Sequence, residues 1–194
     1  RAAAIQALER AEQLLPADTA ASCERQKLRG LVHFFLRDFR LAAVEIEKAI
    51  DVARSLGLTY EVAVNLHNLG DVLIRLDDYA RAYGALQQSL ALCEEYAFER
   101  LLTHNRMLLA YLAGCKGDPE GDKQLDQGIS YAEANEFWWD VISGRFLRAL
   151  LLQRRGKDEE AKHAFHSLRT LAKTNGHRMV VDDCDAALAA YAKG

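Results

Sequence analysis

The sequence repeats itself at a spacing of about forty residues, and that recurrence constrains the chain more than any other feature. Its best-formed copy is residues 65–95, NLHNLGDVLIRLDDYARAYGALQQSLALCEE, which reads as two amphipathic helices joined by a tight turn at Asp77-Asp78. Gly30 returns as Gly70, Ala110 and Ala149, and Asp38-Phe39 returns as Asp78-Tyr79. The triplet Ala42, Ile46, Ala49 returns as Ala82, Leu86, Ser89, then as Gly121, Leu125, Gly128, and again as Ala161, Phe165, Leu168. Small residues at these positions allow close approach of the paired helices, and the larger Ile46, Leu86, Leu125 and Phe165 fill the space between one pair and the next. Each pair has apolar surface on two sides and cannot bury both alone. Stacking buries it, which predicts a solenoid.

Composition agrees with an all-helical chain. Ala and Leu are abundant, and of 194 residues only Pro16 and Pro119 are proline. Helices are expected over 1–15, from about 19 to Arg37, and over 39–56, with Gly57 as a C-cap. The whole chain reads as one repeat domain. Residues 1–16 are the second helix of a preceding pair, 19–57, 59–97, 99–136 and 138–176 are helix pairs, and 178–192 is a closing helix. The turn of the third pair reads as one residue short, and Pro119, Gly121 and Gly128 make 117–128 the segment expected to be most mobile.

The net charge of −3 offers no basic footprint for nucleic acid. No apolar run reaches the ~18 residues that span a membrane. Cys23, Cys93, Cys115 and Cys184 are far apart and form no CxxC pair, so they read as reduced core thiols of a cytoplasmic protein. The start at Arg1, with no signal-peptide pattern, suggests a piece of a longer polypeptide.

The pattern Leu66-x-x-Leu69-Gly70 followed by Tyr79-x-x-Ala82-x-x-x-Leu86 resembles the tetratricopeptide repeat (TPR), and the spacing near forty resembles its long-repeat subclass, found in kinesin light chains and bacterial signalling proteins. The segments NLHNLGDVLIRLDDYARA and YAEANEFWWD are also similar to the C-terminal repeat regions of large bacterial serine/threonine kinases and ATPase-type regulators. The resemblance implies an all-α, right-handed superhelical solenoid of antiparallel helix pairs, about ten helices in all. It also implies a concave face, lined by the first helix of each pair, that binds extended peptides or partner helices.

The sequence holds no catalytic signature: GxxxxGK[ST], GxGxxG, HExxH and GxSxG are all missing. His163 and His166, near Glu159 and Glu160, have a spacing that could hold a metal but read as a solvated helix face. Phe137-Trp138-Trp139 reads as packing between neighbouring pairs, with an exposed aromatic anchor as the other reading. Neither a metal nor a cofactor is expected.

The helical period places Lys27, Leu31 and Phe34, then His67, Asn68, Asp71 and Arg75, then His104, Met107 and Tyr111, then Phe146 and Gln153 on the concave face. Asn68 matches the Asn that members of the family use to hold a bound peptide backbone, though it could equally satisfy a neighbouring helix end. Lys27 matches one Lys of the carboxylate clamp found in some members. The matching Asn is replaced by Leu31, and the second basic pair by His104 and Leu108, which argues against that clamp. Met107 and the aromatics suit an apolar peptide or helix. A Met107→Glu plus Tyr111→Glu variant is therefore expected to fold and lose its partner.

The expected function is a non-catalytic protein–protein interaction scaffold, a regulatory or sensory segment of a larger bacterial signalling protein. Two other readings remain: a module that senses a small molecule or peptide through the concave groove, and self-association, a homo-oligomer through an open solenoid end.

Overall fold

The computed structural model describes residues 20–192 together with Gln6 and Arg10. The helix expected over 1–15 lies outside the described residues. Nine helices follow among those described: α1 (Ala20–Phe35), α2 (Phe39–Ser55), α3 (Thr59–Arg75), α4 (Tyr79–Tyr96), α5 (Glu99–Cys115), α6 (Pro119–Ala134), α7 (Trp138–Arg154), α8 (Asp158–Thr174) and α9 (Arg178–Tyr191). The described residues form no strand. The chain divides into two compact units, residues 1–105 and 106–194, with the division inside α5.

One turn joins all of these helices. Arg37, Gly57, Asp77, Ala97, Gly117, Glu136, Gly156 and Gly176 each take positive φ, one in every link. In the first link Arg37 N–H donates to the Phe34 carbonyl and Asp38 N–H to the His33 carbonyl, both at 2.9 Å. This pairing satisfies the carbonyls left open at a helix end. The residue after the left-handed one then starts the next helix. Asp38, Asp78 and Asp118 do so at the second helix of a pair, and each side chain accepts a backbone N–H of the first turn. At the first helix of a pair, Leu58 and Phe137 hold that place with no side-chain cap.

The left-handed residues fall twenty apart, except for the nineteen between Gly117 and Glu136. The missing residue is therefore lost from α6, not from the turn before it. Lys116, Gly117 and Asp118 make the same three backbone bonds as Leu76, Asp77 and Asp78.

Close helix contact explains the small residues. In the first unit, a Cβ on Gly30 would lie 2.5 Å from Ile46 Cγ1, and one on Gly70 would lie 2.5 Å from Leu86 Cγ. Ile46 and Leu86 are themselves fully buried, with Ala42, Ala49 and Ala82 around them. In the second unit, Ala149, Ala161, Phe165, Leu168 and Cys184 form one buried cluster with Ile142 and Phe146.

The glycines that suggested looseness in the third pair are packing residues. A Cβ on Gly121 would lie 2.7 Å from both the Ala110 carbonyl oxygen and the Gly114 nitrogen, and one on Gly128 would collide with Met107 Cγ. Pro119 occupies the first turn of α6, where its missing N–H costs nothing, and Asp118 caps Glu120 N at 2.9 Å.

A Gly121→Ala change thus meets backbone, which cannot rotate away. Helix propensity alone would favour alanine by about 1 kcal/mol. Overpacking is expected to win, with a net loss of about 1–3 kcal/mol and a lower midpoint in denaturant unfolding.

Candidate functional site

In the first unit, α1 and α3 lie side by side, tied by an ion pair from Lys27 Nζ to Glu61 at 3.0 Å. Lys27 also meets Glu24 at 2.5 Å. Burial works against the charge on Lys27, but these two carboxylates outweigh it and hold its pKa above the ordinary lysine value. Farther along, the Arg75 guanidinium lies over the Phe34 ring at 5.0 Å and the Phe39 ring at 5.6 Å, and pairs with Asp71 at 3.7 Å. Phe34 is buried under that stack, and Leu31 is half-buried beside it in sequence.

Helical geometry turns Leu66, Leu69 and Leu73 of α3 one way and Asn68, Asp71 and Arg75 roughly the other. The three leucines are buried, and the three polar residues keep partial exposure. Of the polar residues the sequence singles out on α3, His67, Asp71 and Arg75 have partners within the fold. The Asn68 side chain makes no hydrogen bond among the described residues, which leaves its amide donors and acceptor uncommitted among them.

His67 is buried and belongs to a polar chain inside the first unit. The Ala63 carbonyl can only accept, so the Ser89 hydroxyl donates to it at 2.7 Å. Ser89 then accepts from Asn105 Nδ2 at 2.8 Å. This turns Asn105 Oδ1 toward His67 Nδ1 at 2.9 Å, and His67 Nδ1 carries the proton. The His104 ring lies 4.5 Å from the His67 ring. Burial, with Arg100 one turn earlier, lowers the His104 pKa to about 4. Asn105 is the residue that sequence reasoning passes over. Its signal is the same forty-residue recurrence, since Asn65 stands at the equivalent position and is equally buried.

The site residues expected in the second unit are core residues. Met107 is fully buried and fills the space left by Gly128 and Gly144, with Met107 Sδ 3.0 Å from where a Gly144 Cβ would stand. Tyr111 is 1% exposed, and its hydroxyl accepts from Arg154 Nε at 3.0 Å. Burial pushes the Tyr111 pKa up to about 12. Phe146 is buried against Phe165, with ring centroids 6.4 Å apart. Gln153 is half-buried beside Tyr191. The helical period places these residues on one stripe, but α5 and α7 bury residues on more than one face, so a stripe there does not equal a surface.

Several charges of the second unit are likewise paired within it. Asp122 is bound by Arg155, and by Arg148 at 3.4 Å, while Arg155 also donates to the Gly114 carbonyl at 2.8 Å. The Arg155 hydrogen bond is the main reason the Asp122 carboxyl sits below the usual carboxylate range. Trp138 and Trp139 are 45% and 41% exposed, and Trp139 lies 4.9 Å from the ring of His177, the residue that starts α9. His163 and His166 are exposed, and no group of three or more His, Cys, Asp or Glu among the described residues could hold a metal ion. The four cysteines are free thiols, and all but Cys115 are fully buried.

Among solved structures, the chain is similar to a Rap protein complexed with competence and sporulation factor, at 18% identity and a TM-score of 0.61, over 98% of this chain and 57% of that one. It is also similar to the nearly identical TPR-like repeats of a Podosopora anserina protein described as a kinesin light chain. That likeness has 14% identity and a TM-score of 0.55, over 88% of this chain and 85% of that one. A single-substitution form of those repeats gives 14% identity and 0.56, over 89% and 85%. The fold is that of the TPR-like repeats. No protein-family model matches the sequence, and no curated protein does. No described helix is long and apolar enough to cross a membrane.

The burial of Met107 and Tyr111 reverses the outcome expected for Met107→Glu plus Tyr111→Glu. Two unpaired carboxylates in the core are expected to unfold the second unit, seen as loss of helical circular dichroism at about 25 °C, not as a folded chain without its partner. A second outcome concerns pH. His104 is neutral in the fold and takes up a proton more readily once unfolded. Stability is therefore expected to fall as pH drops from the ordinary histidine value of 6.5 toward about 4. The loss is about 2 kcal/mol, held below the full shift because the ring keeps some solvent contact. His104→Leu should flatten that part of the stability–pH curve.

Proposed function

We propose that the chain is a non-catalytic protein–protein interaction scaffold that holds an extended segment of a partner protein on the α1–α3 face of its first unit. The observation that carries this reading is the uncommitted amide of Asn68. Around it Lys27, Asp71 and Arg75 are already fixed by partners within the fold. A carboxamide offers a donor and an acceptor side by side, which matches the C=O and N–H of one residue in an extended peptide. Charges held by their own ion pairs lose little side-chain freedom when a partner arrives, so they orient it at low entropic cost. Leu31 adds an apolar contact between Lys27 and Phe34.

The complex of the Rap protein with competence and sporulation factor supports binding as a use of this fold. We also read the chain as a regulatory segment of a larger bacterial signalling protein, a reading that rests on the resemblance of its repeats to those of such proteins. The lack of any catalytic signature in the sequence supports a role other than enzyme for this segment.

Selection from a displayed peptide library tests the reading. Wild-type chain should enrich a defined set of extended peptides. Asn68→Ala should leave the melting temperature unchanged and weaken those peptides roughly tenfold, as expected for losing a paired backbone contact. Unchanged binding by the Asn68→Ala chain would remove this face from consideration.

A further inference from the structure

A second site lies on the far side of α3. A furrow of about 540 Å³ runs between α2 and α4, with Leu66, Leu69 and Leu73 of α3 along its floor and Ile50 and Ala85 on its walls. That volume is in the range of small-molecule sites. The furrow is crossed at two places. Arg81 pairs with Glu47 at 2.5 Å, and Arg54 Nη2 donates to Gln88 Oε1 at 3.0 Å. The crossings stand seven residues apart on each helix, about 10 Å at roughly 1.5 Å per residue. The gap between them admits a single side chain or a small molecule, not a helix.

Gly84 makes that gap. Every other described glycine inside a helix (Gly30, Gly70, Gly114, Gly121, Gly128 and Gly144) is packed so closely that a Cβ would collide with a neighbour. A Cβ on Gly84 would meet nothing within 4 Å. A glycine inside a helix lowers helix stability, and here no packing contact compensates for it. Its effect is to leave the space above the leucine floor open.

The lip of the gap is charged in a specific way. Arg81 is held by two carboxylates, Glu47 across the furrow and Asp78 on its own helix at 3.3 Å, and has no charge to spare for a ligand. Gln88 is fixed at both ends: its Nε2 donates to the Gly84 carbonyl at 3.3 Å and its Oε1 accepts from Arg54. Arg54 is thus held across the furrow by a neutral amide and keeps most of its guanidinium donors unused. Asp51, one turn before Arg54 on α2, has neither a hydrogen bond nor an ion pair among the described residues. One carboxylate and one guanidinium, neither in an ion pair among the described residues, therefore stand a helical turn apart beside a narrow opening over buried leucines.

We propose that this furrow binds a free α-amino acid with a branched aliphatic side chain. The ammonium group pairs with Asp51, the carboxylate with Arg54, and the side chain passes the Gly84 opening onto Leu66, Leu69 and Leu73. A zwitterion satisfies both charges at once, whereas an amine or a carboxylic acid alone satisfies one.

Calorimetric titration of the whole chain with leucine, leucinamide and 4-methylpentanoate tests this. Leucine is expected to bind at least roughly tenfold more tightly than either single-charge analogue, as the loss of one paired charge implies. Asp51→Asn should reduce leucine to the level of 4-methylpentanoate. Gly84→Leu should abolish leucine binding without lowering the melting temperature. The Asp51→Asn comparison decides the matter should the leucine side chain disturb α4. Absence of leucine binding, equal binding of the three compounds, or leucine binding intact in Gly84→Leu would overturn the proposal. So would tighter binding of N-acetyl-leucine, which would assign the furrow to the C-terminus of a partner chain.

Discussion

Everything in this fold depends on helices approaching closely enough for a glycine or alanine on one to receive a large aliphatic side chain from the next. Gly30 takes Ile46 and Gly70 takes Leu86. Fully burying such a side chain is worth about 1.5–3 kcal/mol, so the contact is among the larger single contributions to each repeat. The same contact makes the repeat self-propagating. A side chain that fills the gap inside one pair also faces the next pair, and neither pair can bury its surface alone. The third pair shows how tolerant the device is. There Gly128 of α6 receives Met107 of α5, while Leu125 of α6 stays buried as the counterpart of Ile46 and Leu86. A second small-to-large contact is added in the opposite sense, and the closeness is retained.

The turns make this stacking possible with links of only two or three residues. Each closes one helix with a left-handed residue and begins the next with the residue that follows it. Arg37, Asp77, Ala97 and Glu136 are left-handed without being glycine, and each such residue costs roughly 1–2 kcal/mol relative to a right-handed conformation. They are tolerated because both flanking helices are already fixed by packing, so the link has no alternative to take. In the first three pairs the starting residue alternates, whereas Lys157 starts the second helix of the fourth with no side-chain cap. Aspartate at 38, 78 and 118 begins the second helix of a pair and satisfies an open N–H there. Leu58 and Phe98, at the other set of links, are apolar and half-buried.

This division explains what the sequence can and cannot reveal. The helices, their pairing and the TPR-like fold are legible because they rest on recurrence, and recurrence survives even where single positions drift. The turn at Asp77-Asp78 is legible because Asp38 repeats it. The short third repeat shows in the sequence, but the reading assigns its missing residue to the wrong element. A residue lost from α6 and one lost from its turn leave the same spacing. The candidate site is legible only in part. Lys27, Leu31, Asn68, Asp71 and Arg75 retain partial exposure on α1 and α3, whereas Met107, Tyr111 and Phe146 are buried. A helical period tells which residues share a stripe, but it does not tell how many neighbours a helix has. Where a helix is packed on more than one side, as α5 is, a stripe of apolar and aromatic residues is core.

The polar residues of α3 show the same limit from the opposite direction. Asn65, His67 and Asn68 lie within four positions, and nothing in their chemistry separates them. Asn65 turns inward and its Nδ2 donates to the Glu61 carbonyl. His67 is held by Asn105, which is held by Ser89, which is held by the Ala63 carbonyl. One backbone oxygen of α3 thus sets, by way of α4 and α5, the tautomer of a histidine one turn along the same helix. Asn65 keeps its Oδ1 without a partner, but that atom is sealed inside, and of the three only Asn68 has free hydrogen-bonding groups with partial exposure among the described residues. A buried polar chain of this kind is worth having only when every member is satisfied, because an orphaned group in a low-dielectric interior costs more than its hydrogen bond returns. His67 is therefore committed to holding α3, α4 and α5 in register, and the capacity of α3 to recognise anything outside the fold passes to the residue beside it.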